Sequence, residues 1–347
     1  MGINRNIFEE VGNLGSTYGF SGYDIEDFLT VPKDFSSRQS QAIDVIRDIM
    51  THHGKEVLLR HVVQVAEVER GIRPLEPWVR DHVVHALLSF MLGIFVHEKL
   101  LKPEGFSLDP FQWKLAGLFH DVGYPAQVAK DILKPYSDKI NSIKNELGVR
   151  RPDVFFKVVP VGIDKLSRGV KSFDLIQSWL DKWMLRINAK AEYDMMMRSG
   201  GVCHGMISAL SILYVIDLMY QKFNPNRNYA DIDYPPGINW NHSYFKGDVA
   251  SACSAIFIHN LPKRCFKHAL IDPNHAALAF LLRLSDCMQD WERPSESNPN
   301  GFPDRDYRIE VISGKLILTV TDPDRKIKIE DEIVSSLVAP NIEIRQA

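Results

Sequence analysis

The sequence contains four cysteines, and no two of them form a C-x-x-C pair. We therefore expect reduced, mostly buried thiols of the kind found in cytoplasmic proteins. Lysine and arginine number 41 against 44 acidic residues, which gives a formal charge of −3. This lack of basic excess argues against a general nucleic-acid binder, although it leaves room for a local basic patch that contacts a phosphorylated ligand.

Several other signatures are missing from the sequence. It has no P-loop, no glycine fingerprint for dinucleotides and no Ser-His-Asp signature. Its longest apolar stretches, 86–96 and 205–216, are shorter than the roughly 20 residues that span a bilayer. The opening residues, MGINRNIFEEVGN, carry acids where a secretory signal needs an apolar core. We therefore expect a cytoplasmic protein without a membrane partner.

The composition of the 347 residues is that of an ordinary globular protein, with 45% hydrophobic and 24% charged residues. Such a chain is long enough for one large domain or two modest ones. Apolar periodicity and breaker residues predict a helical body. The predicted helices are 36–70, 78–101, 111–124, 126–147, 172–198, 202–222, 247–260 and 274–291.

The pattern changes near the C-terminus. Residues 307–320 predict a β-hairpin that turns at Ser313-Gly314, and the alternation in 326–334 suggests another strand. We divide the chain into an N-terminal helical extension (1–74), a core (75–295) and a β-rich appendage (296–347). The appendage could cap a site, form a dimer edge or recruit a partner, and the sequence does not decide among these roles.

Polar side chains interrupt five of the apolar helical segments. Burying such groups costs several kcal/mol unless they are paired, hydrogen bonded or bound to a metal. The residues concerned are His82, His85, His120, Asp121, His204, His259 and Asp286. Singly, His204 or His259 is better explained as a hydrogen-bonded core residue. Together, imidazole nitrogens and carboxylate oxygens form a donor set that Zn, Fe, Mn, Ni and Co accept.

The order of these residues resembles the HD superfamily of metal-dependent phosphohydrolases. In this sequence, His85 is followed by the His120-Asp121 pair and then by Asp286. The segment LAGLFHDVGYP is similar to the central motif of that family, and LAFLLRLSDCMQD is similar to its closing helix. The resemblance covers roughly residues 78–292. It implies an all-α HD-domain core to which a small C-terminal β-hairpin appendage is attached.

The resemblance also implies a ligand set for one or two divalent ions per chain, drawn from Fe, Mn, Ni, Co, Zn and Mg. Residues His85, His120, Asp121 and Asp286 would hold the first ion. Asp121 would bridge to a second ion held by His204 and His259. Asp121 is thus the central catalytic residue, while His82 would orient a phosphate, donate a proton or merely support its neighbours.

The added histidines make the order similar both to cyclic-nucleotide and cyclic-dinucleotide phosphodiesterases and to HD-type diiron oxygenases such as inositol oxygenase. The cyclic-dinucleotide branch usually has a His-His pair, whereas Asn260 follows His259 here. Guanosine-tetraphosphate hydrolases usually carry two acids shortly after the His-Asp pair, where this chain has Ala126 and Gln127. The resemblance therefore does not select a substrate.

Three cations are candidates for binding a substrate phosphate: Lys263, Arg264 and Arg283. The alternative for Lys263 and Arg264 is a solvated helix end, and Arg283 could instead pair with a carboxylate.

From these features we expect a phosphohydrolase or phosphodiesterase that acts on a nucleotide or a similar small phosphorylated metabolite. The alternatives are a diiron oxygenase with the same ligands and a non-catalytic ligand-binding module. A homo-oligomer is compatible with the sequence, which does not fix the oligomeric state.

Overall fold

A computed structural model describes residues 3–51, 56–74, 80–158, 160–223, 244–292 and 307–347. These residues are mostly helical, and a small three-stranded sheet lies near the C-terminus. Residues 224–243 lie outside the described residues, and the wide helical turn Phe245–Val249 leads into the following helix.

The helices are numbered here in chain order. Their bounds are α1 Ile3–Val11, α2 Gly15–Tyr18, α3 Gly22–Thr30, α4 Phe35–Thr51, α5 Leu59–Ile72, α6 His82–Val96, α7 Pro110–Phe119, α8 Tyr124–Glu146, α9 Ser172–Lys182, α10 Ala189–Ser199, α11 His204–Phe223, α12 Ala250–His259, α13 Pro273–Met288 and α14 Pro323–Ser336. The single helices predicted over 36–70 and over 172–198 are each two helices, α4 with α5 and α9 with α10, and the members of each pair pack against each other.

The core is built around α6, α7, α12 and α13, which contact one another. Every residue of α6 after His82 is buried, and so is every residue of α12. A helix that is apolar on all sides must be enclosed by others, and this explains why these segments lack an amphipathic pattern. The buried polar side chains on these helices consequently face one another inside the protein.

One continuous helical stretch, 82–104, is long and apolar enough to cross a membrane, but 89% of its most apolar window is buried inside the protein. It is longer than the apolar run in the sequence because a wider helical turn, His97–Leu101, continues α6. The burial is that of a core helix, since a membrane span would present this surface to lipid.

The predicted hairpin is present. Strands β1 (Arg308–Ile312) and β2 (Lys315–Val320) pair antiparallel and turn at Ser313 and Gly314, where both residues have positive φ. A third strand, β3 (Ile342–Gln346), adds in parallel to β2.

The strand suggested over 326–334 is wrong, because these residues belong to helix α14. The side chain of Asp322 accepts hydrogen bonds from the Asp324 and Arg325 backbone N–H groups, and Pro323 occupies the first turn. These are strong signals for a helix start. Ile329 and Ile333, four residues apart, supply the buried face, and this helical spacing outweighs the local alternation.

One hydrophobic core takes residues from all three predicted segments, from Ile3 to Leu337. The N-terminal helices are also joined to the end of α13 by a buried ion pair between Arg38 and Glu292. Asn4 donates a further hydrogen bond to Glu292 at 3.0 Å. The segment boundaries that we drew stay a prediction.

Candidate metal centre

His120 and Asp121 follow directly after α7. The last carbonyl groups of a helix lack backbone donors, and His120 Nδ1 donates to one of them, Gly117 O, at 2.9 Å. Because a carbonyl can only accept, the proton is on Nδ1 and the lone pair is on Nε2. That nitrogen lies 3.6 Å from Asp121 Oδ2.

His259 repeats this arrangement at the end of α12. Its Nδ1 donates to Ile256 O at 2.6 Å, which again leaves a lone pair on Nε2. The ring is buried, and Nε2 lies 3.7 Å from Asp121 Oδ1. Two short core helices thus each end in a histidine that presents Nε2 to the same carboxylate.

His85 lies in the first turns of α6 and is 2% exposed. Its Nδ1 is hydrogen bonded to the side-chain oxygen of Gln289, which follows α13. Its Nε2 lies 2.8 Å from Asp286 Oδ1, 3.4 Å from His120 Nε2 and 3.7 Å from Asp121 Oδ2. The glutamine therefore turns Nε2 toward the group formed by the other three side chains.

His204 is the first residue of α11. Its Nδ1 is 2.8 Å from the side-chain oxygen of Gln127 in α8, and its Nε2 is 3.1 Å from Asp121 Oδ1. The Asn260 amide lies 3.1 Å from both ring nitrogens. Gln127 thus orients His204 as Gln289 orients His85.

The carboxylate of Asp121 has a different pair of imidazoles on each side. Its Oδ2 faces His85 and His120, whereas its Oδ1 faces His204 and His259. The structure therefore brings together all the residues that the sequence indicated as metal ligands, including Asp286, which contacts His85 and lies 3.7 Å from His120.

Two glycines allow this close packing. A Cβ on Gly205 would lie 2.7–2.8 Å from the His259 ring atoms and from Ile256 O. A Cβ on Gly123 would lie 2.4 Å from His204 O. The absence of a side chain at both positions lets α11 approach α12 and the turn after Asp121, so that His204 and His259 reach one carboxylate oxygen.

The charges of the group suit metal binding. Burial opposes ionisation of Asp121, but the His120 and His204 imidazoles hold its pKa well below its ordinary value. Burial likewise opposes ionisation of Asp286, yet its hydrogen bond with His85 lowers its pKa. Burial lowers the pKa of His85 and of His120. Ionised carboxylates and neutral imidazoles are the protonation states in which these side chains bind metals.

Four buried side-chain atoms among the described residues have no hydrogen-bond partner, and two of them, Asp121 Oδ1 and His259 Nε2, lie close to each other in this group. Burying such atoms unsatisfied costs about 1–3 kcal/mol each. Ligand atoms on one ion are about 3–3.5 Å apart, close to their separation of 3.7 Å. The trios His85–His120–Asp121 and Asp121–His204–His259 each place their ligand atoms within 4.8 Å. The residues present therefore fit a metal.

His82 lies at the wall of this group rather than within it. Its Nδ1 is 2.7 Å from Glu69 Oε1, which also accepts its backbone N–H at 2.8 Å. Glu69 is fully buried in α5, and Gln39 donates to its second oxygen at 2.8 Å. The His82 ring stacks on Tyr124, with 3.5 Å between ring centroids. His82 is thus fixed by an acid from the N-terminal extension.

A cavity of about 140 Å³ opens beside Asp121. Its walls are mostly polar, and α14 closes one side with Lys328, Ile329 and Glu332. The other lining residues are Arg80, His82, Asp121, His204, Asn260, Asp286, Cys287, Gln289 and Asp290. The sequence left open whether the C-terminal appendage caps a site. In the structure its helix α14 lies beside the cavity, in the position of a cap.

The three cations proposed to bind substrate do not line this cavity. Lys263 pairs with Asp331, and Arg264 pairs with Glu192 at 2.6 Å. Arg283 is buried, donates to the His259 carbonyl at 2.7 Å and reaches Ser336 Oγ at 2.7 Å. These contacts give each cation a structural function, and their role in substrate binding stays a prediction.

Sequence reasoning did not identify the side chains that orient the histidines, namely Gln127, Gln289 and Glu69. Each is an ordinary polar residue in its local segment, and its function depends on a neighbour far away in the chain. The run Arg80-Asp81-His82 offered one signal, because a charged cluster that opens an entirely apolar helix needs partners from another element.

No family model matches this sequence, and neither a curated protein nor a solved structure matches the chain.

Proposed function

We propose that this chain is a metal-dependent phosphohydrolase of the HD superfamily with a two-ion site. The observation that carries the proposal is the Asp121 carboxylate, whose two oxygens face separate imidazole pairs. A single ion would need imidazoles on only one side of the carboxylate. A carboxylate with histidines on both sides is the arrangement expected when it bridges two ions.

The four residues His85, His120, Asp121 and Asp286 would hold one ion, and Asp121, His204 and His259 would hold the other. Two divalent ions held in this way would supply a water of lowered pKa and would polarise the phosphoryl oxygens. The nitrogen and oxygen donors suit Fe, Mn, Co, Ni or Zn. Gln127 and Gln289 keep the imidazole nitrogens directed at the ions, as hydrogen-bonded partners of metal ligands do in general.

His82 is assigned the role of proton donor to the leaving oxygen. Its ring lines the cavity next to Asp121, and Glu69 holds it through Nδ1. Burial raises the pKa of Glu69 to about 8, so the Glu69–His82 pair holds a proton at neutral pH. The ring nitrogen Nε2 is then the atom that delivers a proton to the substrate.

The cavity walls support a small phosphorylated compound as substrate. Arg80 and Lys328 bring positive charge to the cavity wall, where they can attract a phosphate group. A volume of about 140 Å³ holds a phosphoryl group and part of a small metabolite or nucleotide. Specific hydrolysis of one phosphoester is the expected activity.

The test is a screen of phosphomonoesters, nucleotides and cyclic nucleotides with protein loaded with Mn²⁺ or Co²⁺, run alongside an oxygen-uptake assay with the iron-loaded protein. We expect release of phosphate or nucleotide without oxygen consumption. Asp121→Ala should abolish turnover, and Asp121→Asn serves as the isosteric check.

Oxygen uptake coupled to loss of an organic substrate would instead identify a diiron oxygenase that uses the same ligands. Ligand binding without turnover in either assay would identify a non-catalytic binding module. Either result would overturn the proposed hydrolase activity.

A further inference from the structure

Helix α8 leaves the core soon after it begins. Among its side chains only Val128 and Ser137 are buried, and its neighbours in the fold are α5 and α11. Residues 149–158 fold back beside it. The Asn141 side chain holds them there, because it accepts a hydrogen bond from Val154 N–H at 2.7 Å and donates one to Val154 O at 2.8 Å. We call residues 129–158 the arm.

The arm exposes large apolar side chains that a globular surface usually covers. Tyr136 is 62% exposed and Leu147 is 72% exposed, and Phe156 stacks on Tyr136 with 5.7 Å between ring centroids. Phe155 is also more than half exposed. A contiguous apolar surface of this kind marks an interaction site in a folded protein.

The apolar side chains of α8, together with Leu147 directly after it, form one face. At about 100° per residue, six of them fall within an arc of about 100° on the helix. These residues are Ile132, Leu133, Tyr136, Ile140, Ile143 and Leu147. The opposite side of the helix carries Asp131, Asp138 and Asn145, which are exposed to solvent.

Lysines flank the apolar face on both sides. Lys139 and Lys144 each lie about 20° beyond one edge of the arc, whereas Asp131 and Asp138 lie opposite. Lys144 also pairs with Asp153 in the returning segment of the arm, so Lys139 is the flanking lysine that is open to a partner. Glu146 is the acid that comes closest to the face. The arm holds seven basic and four acidic residues, a net charge of +3 in a chain of net charge −3.

We propose that the arm binds the surface of an anionic lipid bilayer, with the apolar face of α8 at the boundary between headgroups and acyl chains. A helix with an apolar face, basic flanks and acids on the far side is suited to this position. Tyr136, Phe155 and Phe156 are aromatic side chains of the kind that favour the interface. No membrane-spanning segment is needed, although the proposal departs from our expectation of no membrane partner.

The charges argue against pairing of α8 with a second copy of itself. The apolar spacing of three and four residues would suit a helix pair, in which Lys139 and Lys144 flank the seam. A parallel pair would set Lys139 against Lys144 of the copy, which Asp153 already pairs, so this contact supplies no attraction. An antiparallel pair would set Lys139 against its own counterpart. Anionic lipid offers the opposite charge to Lys139 and to the net charge of +3 on the arm.

The experiment is co-sedimentation of the full chain with vesicles of phosphatidylglycerol and phosphatidylcholine in equal parts, compared with vesicles of phosphatidylcholine alone. We expect binding to the anionic vesicles that is at least ten-fold stronger, and that weakens when salt is raised from 0.1 M to 0.5 M. No binding to anionic vesicles overturns the proposal.

Two variants test the face itself. Tyr136→Glu and Leu147→Glu each place a carboxylate in the apolar face and should reduce binding at least ten-fold. Asn145→Glu adds the same charge on the solvent side of the same helix and should retain binding within about five-fold. Equal losses in all three variants would contradict the proposal.

Light scattering and metal content accompany these measurements. An unchanged metal content in the Tyr136 and Leu147 variants shows that the core remains folded. A wild-type dimer that Tyr136→Glu converts to a monomer, without vesicle binding, would make the face a contact between copies and overturn the lipid proposal. Because binding is measured without substrate, the outcome is independent of the enzymatic activity.

Discussion

At the scale of single residues, the environment of Asp121 is the feature that gives the site its chemistry. Four imidazoles reach its two oxygens, and one of those oxygens is buried without a hydrogen bond. The sequence indicated these residues because a charged or imidazole group is costly in an apolar helix. It did not reveal Gln127 or Gln289, since a polar residue on a loop or helix end carries no such cost.

The role of His82 can be tested through Glu69, which orients it. Glu69→Gln removes the acid whose raised pKa lets the pair hold a proton at neutral pH, so the site should lose that proton at lower pH. We expect kcat to fall about ten-fold and the alkaline limb of the pH–rate profile to move to lower pH. Steady-state kinetics across pH 6 to 9 would measure both effects.

The matched control is Glu67→Gln, an exposed position on the same helix. It should leave kcat and the pH profile unchanged, and metal content should be normal in both variants. A Glu69→Gln profile that is lower at every pH but not displaced would indicate a structural role for Glu69 and would remove the support for proton donation by His82.

At the scale of helices, the site depends on how closely α11 and α12 pack. Apolar periodicity predicted both helices. The close approach of α11 to α12 depends on Gly205, which the sequence pattern does not distinguish from other glycines. For helix α14, the sequence did contain the decisive signal, but the prediction followed another pattern. Its alternating Ile327 and Ile329 favoured a strand, although Asp322 and Pro323 already marked a helix start.

Gly205→Ala should displace His259, because the new Cβ would come within 2.8 Å of its ring. The ion held by His204 and His259 should bind at least ten-fold more weakly, while the ion held by His85 and His120 should be retained. Titration of the metal-free protein with Co²⁺, followed by visible absorption, would measure the two affinities.

Gly247→Ala is the control, because nothing lies within 4 Å of the position of its Cβ. This variant should bind both ions as the wild type does. Equal weakening of both ions by Gly205→Ala would mean that the two groups of ligands do not act separately.

At the scale of the whole molecule, a single core joins the N-terminal helices, the helical body and the C-terminal sheet. Composition and length predicted a globular protein with a sizeable core, but not which segments share it. The connections are made by pairs such as Arg38 and Glu292, which are 254 residues apart in the chain. No local pattern predicts such a contact.

Arg38→Met should destabilise the protein by about 3–5 kcal/mol, because it leaves Glu292 buried without its cation. Burial already raises the pKa of Glu292, which Arg38 partly offsets. Urea unfolding followed by circular dichroism would measure the change. Arg47→Met removes an exposed pair with Asp44 and should cost less than about 1 kcal/mol. Equal effects would show that the buried pair does not contribute to stability.

The most direct test of the account is the number of metal ions per chain in the wild type and in His204→Ala, both purified without chelator and reconstituted with Mn²⁺ or Fe²⁺. Elemental analysis against protein concentration should give two ions in the wild type and one in the variant, since His204 contacts only the Oδ1 side of Asp121. One ion in both proteins would contradict the bridging role of Asp121, and no ion in either would contradict the metal site altogether.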